Sequence, residues 1–153
     1  IFFMTYEWGW SGGPPMAVSP LDQVRKVMEY AVTVVPRDKI MMGIPLYGYD
    51  WTLPYVRGGT WARSITPQQA IQLAVKYGVN IQYDSTSQAP YFNYVDEQGK
   101  RHVVWFEDAR SIQAKFDLVK KLEIRGFFYW VLRGGFPQNW LLIEDNFVVR
   151  KRL

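Results

Sequence analysis

Three short stretches place aromatic rings beside carboxylates or at the ends of apolar runs: Tyr6-Glu7-Trp8, Tyr47-Gly48-Tyr49-Asp50-Trp51 and Tyr129-Trp130. A flat ring offers apolar area to the C–H face of a sugar, while a phenol or carboxylate bonds hydroxyl and amide groups. Together these groups make the lining that a carbohydrate cleft requires. Each ring also has a packing reading, because Met4 and the Trp and Tyr residues can fill a barrel core. Glu7 resists that reading, since a carboxylate beside Tyr6 at a strand end must be paired or wet. Asp50 suits loop capping and substrate binding equally. His102, the only histidine, sits beside a turn and is expected to be exposed and inert. With no cysteine to join it, one histidine cannot assemble a metal site, and no metal or other cofactor is expected. Ser11-Gly12-Gly13 and Gly58-Gly59 lack the strand-to-helix context of a phosphate loop.

These clusters need strands to carry them. Residues 1–6 form a short β-prone run, followed by a Gly/Pro/Ser loop over 9–15. Ser19-Pro20 then opens a helix, with Ser19 as N-cap and Pro20 at the first helical position. Leu21, Val24, Met28, Ala31 and Val35 supply its apolar stripe at helical spacing, and Pro36 stops it. Residues 40–49 form a second apolar run, in which Pro45 is tolerated only near a strand end. Strand, helix and strand make a βαβ unit and imply a parallel sheet. A later helix over 108–125 has Asp108 as N-cap, Ile112, Phe116, Val119 and Leu122 on one face, and Gly126 as its terminator. It feeds a parallel strand over 126–132. Between them lie a helix from Thr66-Pro67 to Gly78, a strand over 79–83, and a hairpin of 91–95 with 102–106. The expected organisation is a barrel βαβ segment over 1–51, an α+β insertion module over 52–107, and a final barrel helix, strand and C-terminal segment over 108–153. Functional groups in such arrays sit at the C-terminal ends of the strands, where all three aromatic clusters fall.

Composition sets wider bounds. The chain of 153 residues holds seven Trp, ten Tyr and nine Phe, no Cys, and a formal net charge of +4. Nearly half the residues are apolar, which argues against disorder. The charge is mild and scattered apart from Arg150-Lys151-Arg152, and the basic residues do not line up with the aromatic strand ends. A nucleic-acid partner is therefore not expected. There is no run of about 18 apolar residues, so no membrane span is expected. Ile1-Phe2-Phe3-Met4 has the look of a strand already under way rather than of a signal peptide.

The strand-end stretches resemble glycoside hydrolase family 18, in particular its bacterial spore-cortex branch of LysM-associated N-acetylglucosaminidases (the YaaH/SleL type). The matching residues are Met4-Thr5-Tyr6-Glu7-Trp8 and Met42-Gly43-Ile44-Pro45-Leu46-Tyr47-Gly48-Tyr49-Asp50-Trp51. They continue through Trp105-Phe106-Glu107-Asp108-Ala109-Arg110-Ser111 to Gly126-Phe127-Phe128-Tyr129-Trp130. The resemblance implies an α/β fold, the C-terminal part (strands six to eight) of a TIM (β/α)8 barrel, with an α+β chitinase-insertion module. It implies a retaining, substrate-assisted cleavage in which the acetamido oxygen of the bound sugar attacks its own anomeric carbon and one Glu protonates the leaving oxygen. That Glu ends a DxxDxDxE motif on strand four, and this sequence contains no such motif. By resemblance, Tyr6 holds the acetamido oxygen, and Glu7 takes an acidic position more often filled by Asp, reaching about one methylene further. Trp130 floors the sugar subsite with Met4 packed beside it, and Trp8, Tyr47, Asp50 and Trp51 contribute to substrate binding. The implied substrate is a peptidoglycan or chitin-like glycan, and the implied location is the cell wall, the spore or the extracellular space.

A non-catalytic carbohydrate-binding module is the competing reading. On either reading the parallel strands leave apolar surface open, which a second copy or the missing half of the barrel is expected to cover. The segment by itself is expected not to hydrolyse peptidoglycan or chitin-type oligomers, because a general acid contributes on the order of a hundred- to ten-thousand-fold. Release of reducing sugar by the purified segment, persisting in Glu7→Gln, would contradict this.

Overall fold

The computed structural model describes residues 1–132 and 136–149, so the basic cluster at 150–152 lies outside the described residues. Two sheets share the work. The first is parallel and three-stranded, in the order β1 (Phe2–Phe3), β2 (Met41–Pro45), β8 (Gly126–Trp130). The second is five-stranded and antiparallel: β4 (Arg63–Ile65), β3 (Gly48–Thr52), β7 (Arg101–Trp105), β6 (Ala89–Val95), β5 (Gln82–Asp84).

The helices α1 (Leu21–Val34) and α3 (Ala109–Leu122) pack against one another beside the parallel sheet. Their apolar stripes are the expected ones. Leu21, Val24, Met28 and Ala31 meet Ile112, Phe116, Val119 and Leu122 around Met42 and Ile44 of β2. The start of α1 differs from expectation. Pro20 takes the N-cap position, and the buried Ser19 hydroxyl donates to the Thr5 carbonyl at 2.6 Å instead of capping the helix. A buried hydroxyl must find a partner, and the chain leaving β1 offers one closer to hand. The first strand is also shorter than expected, because Thr5 N–H turns back to the Phe3 carbonyl at 2.9 Å and ends the pairing.

The apolar run over 40–49 divides between the sheets. Pro45 is the last residue of β2, where its missing N–H costs no ladder bond, and Leu46 N–H resumes by donating to the Trp130 carbonyl at 2.9 Å. Two residues later the chain enters β3, so the expected boundary between residues 51 and 52 falls inside a strand of the second sheet. Within that sheet the hairpin of β6 and β7 forms as expected. Helix α2 (Pro67–Tyr77) carries the Thr66/Gln69 capping box and ends at left-handed Gly78. It buries Ala70 and Ala74 on Ile65, Phe92, Val104 and Phe106. The strand expected over 79–83 forms later, as β5, because Val79 and Ile81 pack onto this cluster.

Helix α3 has Asp108 as N-cap, as expected, but its left-handed terminator is Glu123 (φ 51°), and Gly126 opens β8. Helix α4 (Pro137–Asn146) completes the described residues, tied to α3 by paired amide bonds between Asn146 and Gln113 at 2.8 and 2.9 Å. Midway along α3, Lys115 is fully buried with its ammonium 2.9 and 3.1 Å from the two carboxylate oxygens of Glu107. Ser111 adds a hydroxyl bond at 2.6 Å. Burial pushes the Glu107 pKa upward while the Lys115 charge opposes it. Removing one partner of a buried pair leaves an uncompensated charge, so Lys115→Met should cost about 3–5 kcal/mol in urea denaturation. The double replacement Lys115→Met/Glu107→Leu should recover most of that loss.

Candidate active site

Glu7 stands just past the end of β1 at φ 67°, in the left-handed region. That conformation costs a non-glycine residue roughly 1–2 kcal/mol. It is held by its surroundings: Trp8 and Gly9 N–H donate to the carbonyls of Val18 and Ala17 at 3.1 and 3.0 Å. The Glu7 carboxylate is held by the crossing from β2 to β3. Tyr47 and Tyr49 both donate their hydroxyls to Glu7 Oε1, the latter at 2.9 Å. Alternation along an extended chain puts Tyr47, Tyr49 and Trp51 on one side, and their rings run edge to face at 5.6 Å per step. Burial, followed by the bond to Glu7, drives both phenols far above the ordinary tyrosine pKa. They remain donors, and Glu7 the acceptor.

Tyr6 and Glu7 together line a depression with Trp8. The Tyr6 ring passes over Gly43, where an added Cβ would come within 2.7 Å of that ring and 2.9 Å of Phe128. The close approach of ring to strand needs a residue without a side chain. Among the described residues the Tyr6 hydroxyl has no hydrogen-bond partner, and burial, then the Glu7 charge, raises its pKa. A cavity of about 290 Å³ opens beside Glu7, lined by Tyr47, Tyr49, Trp130 and, from the second sheet and α2, Ser64, Thr66 and Gln69. Trp130 exposes 54% of its surface there.

Among the sequence-predicted residues, Glu7, Tyr47 and Trp130 therefore share one cavity, and Tyr6 adjoins it through Glu7. The others are placed differently. Met4 is 73% exposed and lines the same depression as Tyr6, Trp8 and Glu7 itself. Trp8 is half-buried against the helix core. Trp51 is fully buried and donates its indole N–H to the Gly13 carbonyl at 2.9 Å, so its face is unavailable for stacking on a sugar. Asp50 points to the opposite side of β3, buried among Tyr94 (2.8 Å), His102 (2.9 Å) and Arg63 (3.2 Å). Its role there is to hold the insertion sheet together. His102 is correspondingly not exposed: it bridges Asp50 and Asp96 and stacks on Tyr94 at 4.5 Å. Tyr49 was read from the sequence as part of the 47–51 cluster but given no role of its own, although its spacing of two from Tyr47 signals a shared face. Ser64, Thr66 and Gln69 carry no such local signal, since only tertiary packing brings them to the cleft.

The family described as glycosyl hydrolases family 18 matches residues 1–134. The chain belongs to this family. It is 61% identical over 152 residues to a protein of Bacillus subtilis named cortical fragment-lytic enzyme, covering 99% of this chain and 35% of that relative. The crystal structure of the Bacillus cereus spore cortex-lytic enzyme SleL superposes with a TM-score of 0.96 at 53% identity, over 98% of this chain and 35% of that one. A chitinase from Chromobacterium violaceum superposes at 0.87 with 30% identity, over 97% of this chain and 45% of that one. The chain thus spans between about a third and somewhat under half of the length of these relatives. Its parallel sheet is the C-terminal part of the family 18 (β/α)8 barrel, and the five-stranded sheet with α2 is an α+β module set into it.

In this family 18 segment the two Glu7-bound phenols should stay un-ionised well past the ordinary tyrosine range. The double variant Tyr47→Phe/Tyr49→Phe should therefore titrate as many phenols below about pH 11 as the unaltered chain, by ultraviolet absorbance. A loss of two titrating groups from that range would contradict the assigned bonds.

Proposed function

We propose that this segment forms the sugar-holding side of a retaining glycosidase acting on N-acetylglucosamine-containing glycan, the peptidoglycan of the spore cortex. The observation that carries the reading is the Glu7 carboxylate, fixed on one oxygen by two phenols at a cavity floored by an exposed tryptophan. Its second oxygen, Oε2, has no partner among the described residues and is free to accept from a sugar N–H or O–H. Tyr6 brings an unpartnered hydroxyl beside Glu7. Its raised pKa keeps it neutral, so it can donate to the acetamido oxygen and hold it for attack at the anomeric carbon. Trp130 offers its face to the sugar ring. The names of relatives at high identity, with their cortex-lytic wording, support both the substrate and a spore or cell-wall location.

No helix among the described residues is long and apolar enough to cross a membrane. The exposed Ile1, Phe2 and Leu132, each at least 61% accessible, suit burial against further β/α units of such a barrel or against a second copy.

The test uses the full-length parent that carries this segment. It should release saccharides from spore peptidoglycan, and Tyr6→Phe should lower kcat roughly a hundredfold with little change in KM, as removal of a transition-state donor does. Glycan binding without hydrolysis by the unaltered parent would select the non-catalytic reading. A rise in KM at constant kcat would confine Tyr6 to binding.

A further inference from the structure

The Glu7 cavity does not end at Ser64 and Gln69. With Ile65, these two residues also border a side groove of about 250 Å³ that continues between β4 and α2. Two local periodicities set its lining. Along β4, Ser64 stands opposite Tyr49 and shares its face, while Arg63 stands opposite Asp50 on the other face. Because β4 is the edge of its sheet, the exposed Arg63 borders the groove as well. Along α2, Gln69, Gln72 and Lys76 follow at intervals of three and four, which puts them on one helix face. All three are exposed and border the same groove, beside the stripe that buries Ala70 and Ala74.

The groups gathered there are donors. The Arg63 guanidinium meets Asp50 through one terminal nitrogen at 3.2 Å, and its other nitrogens have no partner among the described residues. The Gln69 carboxamide is oriented by its capping role: its Oε1 accepts from the Thr66 N–H at 3.0 Å, which leaves the Nε2 hydrogens for the groove. The Ser64 hydroxyl is likewise without a partner among the described residues. Lys76 adds an ammonium, 2.5 Å from Glu97. The acids that face these cations, Asp50 and Glu97, border a different depression with Asp96 and His102. Among the described residues no carboxylate lines the groove itself. Fixed donors and two cations without an acid match a small anion with several acceptor oxygens, as a carboxylate is. We propose that this groove receives a carboxylate-bearing branch of the glycan strand held at Glu7. Arg63 and Lys76 supply the charge, and Ser64 and Gln69 the oriented donors. A peptidoglycan strand differs from chitin in carrying such branches, lactyl or peptide, so the groove tells the two glycans apart. The proposal rests on the glycan reading of the Glu7 cavity and extends it from the sugar to its substituent.

The test titrates the full-length parent calorimetrically at low temperature with three glycan fragments matched in length. One is peptidoglycan with its peptides, one is peptidoglycan stripped of them by an amidase so that lactyl carboxylates remain, and one is a neutral N-acetylglucosamine oligomer. Arg63→Gln/Lys76→Gln should weaken at least one acidic fragment about three- to tenfold, as loss of two exposed ion pairs does, and leave the neutral oligomer unchanged. The acidic fragment that responds identifies the branch. Raising salt from about 0.05 to about 0.5 M should weaken that fragment on the unaltered parent and spare the neutral one. Because Arg63 also touches Asp50, Lys76→Gln alone, which leaves the Asp50 contacts whole, should show part of the loss with an unmoved thermal midpoint. Arg63→Lys in the otherwise unaltered parent should retain most of the affinity. Equal weakening of all three fragments, or unchanged affinity for all three, would overturn the proposal. Selective weakening without hydrolysis by the unaltered parent would remove the proposed reaction and leave the groove's role standing, whereas hydrolysis without selectivity would do the reverse.

Discussion

A carboxylate at the end of a parallel strand is useful only if something holds it, and here the holding groups come from a different sheet. Glu7, four residues beyond β1, has a left-handed backbone, and its Oε1 is met by Tyr47 and Tyr49 at the point where the chain passes from β2 into β3. Those bonds connect barrel to insertion across some forty residues of sequence. The Glu7 position therefore depends on the β2–β3 passage, and that passage depends on Pro45 closing the parallel ladder where it does.

The insertion module is accordingly part of the site's scaffold. Its sheet supplies one wall of the cavity through Ser64, and α2 supplies another through Gln69, while Leu21 N–H donates to the Ser87 carbonyl at 2.8 Å and pins the start of α1 to the module. Trp51 reaches back to Gly13 from the opposite direction. At the return to the barrel, Glu107 and Lys115 are buried as a pair, where neither would be tolerated alone. Each crossing between the two sheets is thus marked by a polar contact that fixes direction, with apolar packing on either side providing the bulk of the burial.

Elements with a strong local signature were legible in the sequence. The stripes of α1 and α3, the Thr66/Gln69 box and the β6–β7 hairpin depend on spacing within one segment, and they appear where expected. Glu7, Tyr47 and Trp130 could be gathered into one site because parallel strands bring their C-terminal ends together. The misreadings come from contacts that only the folded sheet creates. Alternation along β3 turns Asp50 away from Tyr49 toward α2, while Trp51, on the side of Tyr49, is buried against the loop over 9–15. Treating 47–51 as a strand end concealed that alternation. His102 was misjudged for a different reason: its acidic partners lie 52 and 6 residues away and meet it only once the strands are paired.

The identity of residue 7 then acquires a physical rationale. Asp is among the residues that tolerate a left-handed backbone best, so Glu at φ 67° is the more costly choice at this position. The additional methylene lengthens the reach of the carboxylate away from β1. With that reach a single oxygen meets both phenols of the crossing, and the other oxygen is left clear of protein partners among the described residues. The hydrogen bonds to a charged acceptor, worth about 1.5–3 kcal/mol each, are of sufficient size to offset the backbone cost. A shorter acid would suit the backbone better, but it would have to give up some of that reach or draw the crossing strand inward. The choice of Glu at this position thus follows the two phenols it meets at the β2–β3 passage.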